Sequence, residues 1–278
     1  MMSHLILNIT QDLQNKLPAS LKTEEDKFKF FINLTGEYFR KQKGRETIRF
    51  TLPSPYPSPT SGRGDFLAGK SCFIKKHAGI GIIEALKNFI MFKQPVYGAR
   101  NEWLALNRLK DHHLPVPEPF AFGEKGCCPI FHSSFIVMEA IEDSVSLEDI
   151  CRDWKKIPPN FKFKRALIKE VARISRVMHG LGVNHRDYYI CHFLCKSRSD
   201  LHLIDLHRAQ IRKKVPFRWL CKDLAGLYFS SMDIGLTKRD IIYFLKEYFL
   251  MSWREILVQH GGLLKKVSQR AIKLYAKH

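Results

Sequence analysis

"GVNHRDYYICHFL", residues 182–194, decides how the chain folds. It sets an imidazole, a guanidinium and a carboxylate at consecutive positions, His185, Arg186 and Asp187. A further titratable side chain, His192, follows five positions after the Asp. Upstream, apolar residues recur at Leu167, Val171, Ile174, Met178 and Leu181, the stripe of an amphipathic helix over 161–181. Gly182 supplies its C-terminal stop. Downstream, "CHFLC" (191–195) and "LHLID" (201–205) read as two short strands joined by the polar turn "KSRSD". A long helix therefore delivers the chain into a polar loop, and two strands carry it on to a second carboxylate, Asp205.

Further toward the N-terminus, "GEYFRKQKGRETIRF" (36–50) predicts a hairpin turning near Gly44. "TLPSPYPSPTSGRGDF" (51–66) has no hydrophobic periodicity and reads as a disordered or polyproline-like insertion. "KSCFIKKH" (70–77) is a strand with Phe73 and Lys75 on one face and Lys76 on the other. "GARNEWLALNRLKDHH" (98–113) is helical, with Glu102, Leu106 and Leu109 on one side, and it stops before the prolines of "LPVPEP". "FAFGEK" and "SSFIVMEA" (133–140) are strands, the second apolar throughout and hence central. Ser146 is the expected N-cap of the helix begun by "SLEDICRDW", with Asp149 three residues on. From about Trp219 the chain reads as mostly helical. Strands first and helices later predict two lobes of unlike composition.

Composition narrows the class. Of 278 residues 45% are hydrophobic and 12% aromatic, which fits a folded globular protein. The longest apolar stretch, "IGIIEALKNFIMF" (80–92), carries Glu84 and Lys87 and is too short to span a bilayer. The N-terminal residues lack a basic signal region, so a soluble cytosolic protein is expected. Seven cysteines, including Cys127-Cys128, read as reduced thiols, and "CHFLC" matches no zinc spacing.

Phosphoryl transfer from a nucleotide needs a cation on the phosphates, metal ligands, and a base or orienting group at the acceptor hydroxyl. This chain offers each in the order of a protein kinase. Lys75 would reach the α- and β-phosphates, and Glu102 would pair with Lys75. Met138, Glu139 and Ala140 would read the adenine edge. Asp187, within His185-Arg186-Asp187, would orient or accept the hydroxyl proton. His192, where a kinase carries Asn, and Asp205 would hold magnesium. By itself His192 reads as a hydrogen-bonded internal histidine, since magnesium prefers oxygen ligands; within this constellation it reads as a ligand. The interval of 18 residues from Asp187 to Asp205 is the spacing that brings a kinase's two carboxylates to one site. Asp223, in "CKDLAGLYF", is expected to accept hydrogen bonds from the loop backbone rather than to take part in chemistry.

"NHRDYYICHFL", "LIDLHRAQIRKKVPFRW", "KDLAGLYFSSMDIGLTKRD" and "KNFIMFKQPVYGARNEWLALNRL" together resemble the lipopolysaccharide core heptose(I) kinases, the RfaP/WaaP family of Gram-negative bacteria. The resemblance is nearly collinear from about Leu21 to Leu264. It implies an α+β, bilobal protein-kinase-like fold: a small β-rich N-lobe and a larger, mostly helical C-lobe. The boundaries expected are 1–138, with the loop at about 52–66, and 139–278, with a catalytic loop at 183–194. It also implies ATP- and Mg2+-dependent phosphorylation of the first heptose of the inner core, at its 4-hydroxyl, on the cytoplasmic face of the inner membrane. By position the family's catalytic Asp is Asp187, its phosphate Lys is Lys75 and its magnesium Asp is Asp205, and the family itself has His at 192. The chain departs from the pattern in the 52–66 insertion. It also has no G-x-G-x-x-G over the phosphates, only Gly36 and Gly44, where Arg45 or the turn backbone could substitute.

Net charge is +19 and uneven. Nine Lys or Arg lie between Arg152 and Arg176 against two acids, six between Arg208 and Lys222, and five between Gly261 and His278 with no acid. Such fields attract polyanions. Lipopolysaccharide inner core, an anionic membrane surface and an acidic carrier protein all suit them. Nucleic acid would explain the charge but none of the carboxylates. Two other readings stay open: a kinase for protein or small-molecule hydroxyls, and a non-catalytic kinase-fold adaptor binding anionic lipid or acidic protein.

Overall fold

The computed structural model describes residues 4–42, 44–51, 71–78, 98–126, 132–196 and 200–277. The 52–66 insertion, the 80–92 stretch and Cys127-Cys128 lie outside the described residues. The chain divides into two compact units, residues 1–107 with 117–140 and residues 108–116 with 141–278.

The first unit is built on a six-stranded antiparallel sheet. Its strands are β1 (Leu5–Ile9), β2 (Glu37–Gln42), β3 (Arg45–Thr51), β4 (Ser71–His77), β5 (Pro119–Lys125) and β6 (Ser133–Glu139), in the order β1-β5-β6-β4-β3-β2. Phe135, Ile136, Val137 and Met138 of β6 are all buried, as a strand covered on both faces requires. On β4, Cys72 and Ile74 are fully buried while Lys75 alternates to the other face, opposite Thr47 of β3 and Ile136 of β6. The β2–β3 hairpin turns at Gly44, whose φ of 77° suits a residue without a Cβ. Two helices precede the hairpin, α1 (Gln11–Gln14) and α2 (Glu24–Asn33). Thr23 and Asp26 form a reciprocal capping box at the start of α2. Phe28 and Phe31 of α2 stack on Phe135 with ring centroids 5.6 and 4.8 Å apart, closing the core with Leu13, Ile48, Ile74 and Val137. Helix α3 (Arg100–Asp111) carries Glu102.

The second unit is mostly helical: α4 (Leu147–Cys151), α5 (Phe161–Gly180), α6 (Phe217–Ser230), α7 (Lys238–Phe249) and α8 (Trp253–Tyr275). Short antiparallel pairs support its loops. β9 (Phe193–Cys195) pairs with β7 (Val145–Ser146) and β10 (Leu201–Leu203), and β8 (Val183–Asn184) pairs with β11 (Gln210–Ile211). Capping fixes the helix starts: Ser146 Oγ accepts from the Asp149 N–H, and Asn160 Oδ1 accepts from the N–H groups of Lys162 and Phe163. Leu167, Val171, Ile174 and Met178 form the buried stripe of α5. The C-terminal core gathers Ala172, Leu224, Ala225, Tyr248, Leu263 and Val267. A β-rich unit and a mostly helical one make the α+β architecture that the resemblance implies.

The five described cysteines are free, and four of them are buried. Burial pushes the Cys151 thiol up to about 12 and the Cys191 thiol up to about 11, so both stay protonated and inert at neutral pH. Among the described residues no group of three or more His, Cys, Asp or Glu could hold a metal by itself, and no helix is long and apolar enough to cross a membrane.

Candidate active site

The sequence-predicted residues fall into two groups, one in each unit. In the first, Lys75 Nζ donates to Glu102 Oε1 at 2.5 Å, with the two side chains 13% and 1% exposed. Strand alternation decides which lysine can do this, because the neighbouring Lys76 points the other way and donates to the Leu34 carbonyl at 2.5 Å. Burial lowers the Lys76 pKa. An ion pair this deep holds its partners tightly, since removing one strands the other's charge at a cost of about 3–5 kcal/mol. Met138 is buried at the end of β6. The Glu139 N–H donates to the Glu118 carbonyl at 2.9 Å and the Ala140 N–H to the Ser71 carbonyl at 3.0 Å. Those two donors are therefore committed within the unit.

In the second unit the chain leaves β8 and enters the His185–His192 loop. Asp223 on α6, fully buried, accepts from the His185 N–H at 2.7 Å and from the Arg186 N–H at 2.8 Å. This is the structural role expected of it. Charge-assisted bonds of this kind contribute roughly 1.5–3 kcal/mol each. Behind Asp223, His179 Nε2 lies 3.5 Å from the carboxylate, and His179 Nδ1 is 2.8 Å from the Tyr248 hydroxyl. His185 Nε2–H donates to the Ile204 carbonyl at 2.9 Å, tying the loop to the residue before Asp205. Burial lowers the His185 pKa, so this imidazole acts as a neutral strut.

Pinned in this way, the backbone turns through a left-handed Arg186, φ 76°, a conformation a non-glycine residue keeps only when its surroundings impose it. The turn presents the Asp187 carboxylate. Both its oxygens accept from Arg208 Nη1 at 2.9 Å, and Lys222 Nζ stands 3.7 Å away. The Asp187 carbonyl accepts from His192 Nδ1–H at 2.7 Å. That bond occupies Nδ1 and leaves Nε2 3.7 Å from Asp205 Oδ2. Asp205 is also left-handed, φ 60°, and its other oxygen accepts from His207 Nδ1 at 2.7 Å.

The structure thus brings Asp187, His192 and Asp205 together, with His185 behind them, and places Lys75 against Glu102. The Arg186 guanidinium does not join Asp187; it lies 5.0 Å from the ring centre of Trp219. Two cations at Asp187, Arg208 and Lys222, were visible in the sequence only as members of a basic run. Their registration on Asp187 depends on the turn after Asp205 and on the phase of α6, which no local pattern reveals.

The family described as "Lipopolysaccharide kinase (Kdo/WaaP) family" matches residues 32–248. A lipopolysaccharide core heptose(I) kinase WaaP of Escherichia coli is 44% identical over 263 residues, covering 92% of this chain and 94% of its own. The WaaP heptose(I) kinase of Pseudomonas aeruginosa is 44% identical over 257 residues, covering 90% of each. A solved structure described as WaaP in complex with acyl carrier protein superposes with a TM-score of 0.76 at 37% identity, over 97% of this chain and 99% of the other.

Proposed function

We propose, for a chain that belongs to the lipopolysaccharide kinase (Kdo/WaaP) family, transfer of the γ-phosphoryl group of ATP to the 4-hydroxyl of the first heptose of the lipopolysaccharide inner core. Phosphorylation of a lipopolysaccharide sugar is the activity its family membership gives it; the nucleotide, the metal and the hydroxyl are the finer reading. The observation that carries this reading is the Asp187 carboxylate, presented by a pinned left-handed turn whose Asp187 carbonyl is held by His192, itself 3.7 Å from Asp205.

Each residue then has a task. Lys75, held by Glu102, binds the α- and β-phosphates as a fixed cation. The Met138–Ala140 segment meets the adenine edge with its carbonyls, the N–H groups of Glu139 and Ala140 being already engaged. Asp187 accepts a hydrogen bond from the acceptor hydroxyl, aims its oxygen at phosphorus and takes its proton as the new O–P bond forms and the bond from the γ-phosphorus to the departing ADP breaks. Asp205 and the His192 Nε2 lone pair offer two donors to one point. Asp205 fits magnesium, which binds through few protein ligands and takes the rest from phosphate and water, and His192 would add a nitrogen donor that the ion seldom uses. Bound there, the ion would neutralise charge on the nucleotide's phosphate oxygens.

An acyl carrier protein is named with the related WaaP structure, and an acidic carrier is the partner we extend to this chain. With a glycolipid as acceptor, the same reading has the enzyme work as a peripheral protein on the cytoplasmic face of the inner membrane.

Labelled γ-phosphate from Mg-ATP, offered unphosphorylated inner-core lipopolysaccharide and a generic protein substrate, tests the reading. Label should enter the glycolipid, and Asp187→Ala should cut turnover by about 10²–10⁴ while ATP still binds. Label in protein alone would discard the sugar, and wild-type turnover in Asp187→Ala would discard the loop.

A further inference from the structure

Beside Asp187 stands a group of cations to which this chemistry gives no task. The charged ends of Arg186, Arg218, Arg212 and Lys222 lie 5.0, 5.3, 5.8 and 5.8 Å from the ring centre of one residue, Trp219. Trp219 sits on the first turn of α6, half-buried, with Arg218 beside it and Lys222 one turn on. Arg212 follows β11, and Arg186 comes from the catalytic loop. Four cations from three segments therefore converge on a single indole.

The nearby acids neutralise them only in part. Asp187 pairs with Arg208 and stands 3.7 Å from Lys222, while the Asp223 carboxylate is spent on backbone N–H groups. Arg212 is held by neutral partners, Asn184 Oδ1 at 2.7 Å and Gln210 Oε1 at 2.6 Å. The Arg186 Nε is buried without a hydrogen-bond partner. Burial lowers the pKa of both Arg186 and Lys222, with neighbouring arginines adding to it and Asp187 and Asp223 opposing it. An aromatic face explains how such a group assembles, because it attracts cations yet carries no charge to cancel theirs. Positive charge remains in excess over the carboxylate that Lys222 approaches, and the group includes a buried donor without a partner, Arg186 Nε.

We propose that Arg186, Arg212, Arg218 and Lys222, gathered on Trp219, form the acceptor subsite and bind an anionic substituent of the sugar acceptor, a carboxylate in the first instance. The site rests on the kinase reading above. Its place next to Asp187 assigns it to the hydroxyl-bearing substrate, since the carboxylate that Lys222 approaches is the one that receives the acceptor's proton. Guanidinium groups suit planar carboxylates, which they hold by paired hydrogen bonds. A sugar acid adjoining the reactive sugar would then be gripped here, fixing which hydroxyl meets Asp187.

The test uses the full-length enzyme with two acceptors, inner-core oligosaccharide and the same oligosaccharide with its carboxylates reduced to alcohols. Arg218→Gln, on an exposed side chain, is the first variant, and Arg186→Gln the second. Reducing the carboxylates should raise the wild-type acceptor KM about tenfold. Each variant should raise KM for the native acceptor to a similar extent, change it little for the reduced one, and leave KM for ATP alone. A raised KM for ATP with an unchanged acceptor KM would assign the cations to nucleotide phosphate and overturn the proposal. Equal KM values for the two acceptors with wild-type enzyme would overturn it as well. Absence of any transfer by wild-type enzyme would instead remove the kinase reading on which it stands.

Discussion

His192 occupies the position at which a protein kinase carries an amide, and the proposed metal role asks an imidazole to replace it. An Asn there would have one carbonyl oxygen for a metal and an N–H for the loop. In the proposed role His192 divides the same duties between its nitrogens: Nδ1–H holds the Asp187 carbonyl at 2.7 Å, and Nε2 stands 3.7 Å from Asp205 Oδ2. The two duties separate experimentally. His192→Asn retains a donor and an oxygen, whereas His192→Ala loses both. With Ala, the magnesium concentration for half-maximal turnover should rise about tenfold or more, and Asn should recover much of it. A titration of activity against magnesium decides this. If Ala lowers turnover without moving the magnesium midpoint, His192 only buttresses Asp187. Arg208 shows the opposite limit of legibility. Nothing in "LIDLHRAQ" marks it as the partner of the Asp187 carboxylate, because that pairing is made by the fold after Asp205 and not by spacing.

Among the secondary-structure elements, the junction of α5 with β8 bears most directly on the site. Gly182 has φ 75°, and a Cβ built there would stand 1.7 Å from the Arg212 carbonyl oxygen. The same carbonyl belongs to the chain that leaves β11, and the Arg212 N–H returns to the Gly182 carbonyl at 2.9 Å. Gly182→Ala must therefore push β11 away from β8, moving Arg212 and the strand that leads into His185. Overlap with backbone cannot be relieved by a rotamer change, so the cost should be at least about 2–3 kcal/mol. For a chain of this size that lowers Tm by roughly 5–10 °C. Thermal unfolding of the variant measures it, and a Tm within a degree of wild type would contradict the close approach. Sequence showed Gly182 as a helix stop, and the hairpin at Gly44, the helix bearing Glu102 and the Ser146 cap were equally plain. These depend on periodicity and local hydrogen bonds. What stayed hidden was tertiary: Leu5–Ile9 becomes a sheet edge only because β5 lies beside it, and the N-terminal stretch carries no turn signal of its own.

A net charge of +19 on 278 residues weakens any compact state through self-repulsion, so its retention asks for a compensating partner. Two suit the proposed reaction: anionic headgroups around the glycolipid, and an acidic carrier protein. Helix α8 combines the means for the first. Val258 is 86% exposed and Leu257 48%, and the same helix carries Lys265, Lys266, Arg270 and Lys273. Each cation at an anionic bilayer contributes roughly 1 kcal/mol, and the attraction decays over about 8 Å at physiological salt. Sedimentation with vesicles containing phosphatidylglycerol should therefore recover the protein at low salt and lose it as salt rises, while neutral vesicles recover little. If the carrier uses the same positive field, purified acyl carrier protein should compete it off the vesicles at low salt. Equal recovery on neutral and anionic vesicles would show that the charge does not serve the membrane, and the excess would then have to be explained by the carrier or the acceptor. Retention on anionic vesicles despite saturating carrier would instead give the two partners separate surfaces, and the basic runs at 152–176 and 261–278 would be the segments to neutralise one at a time.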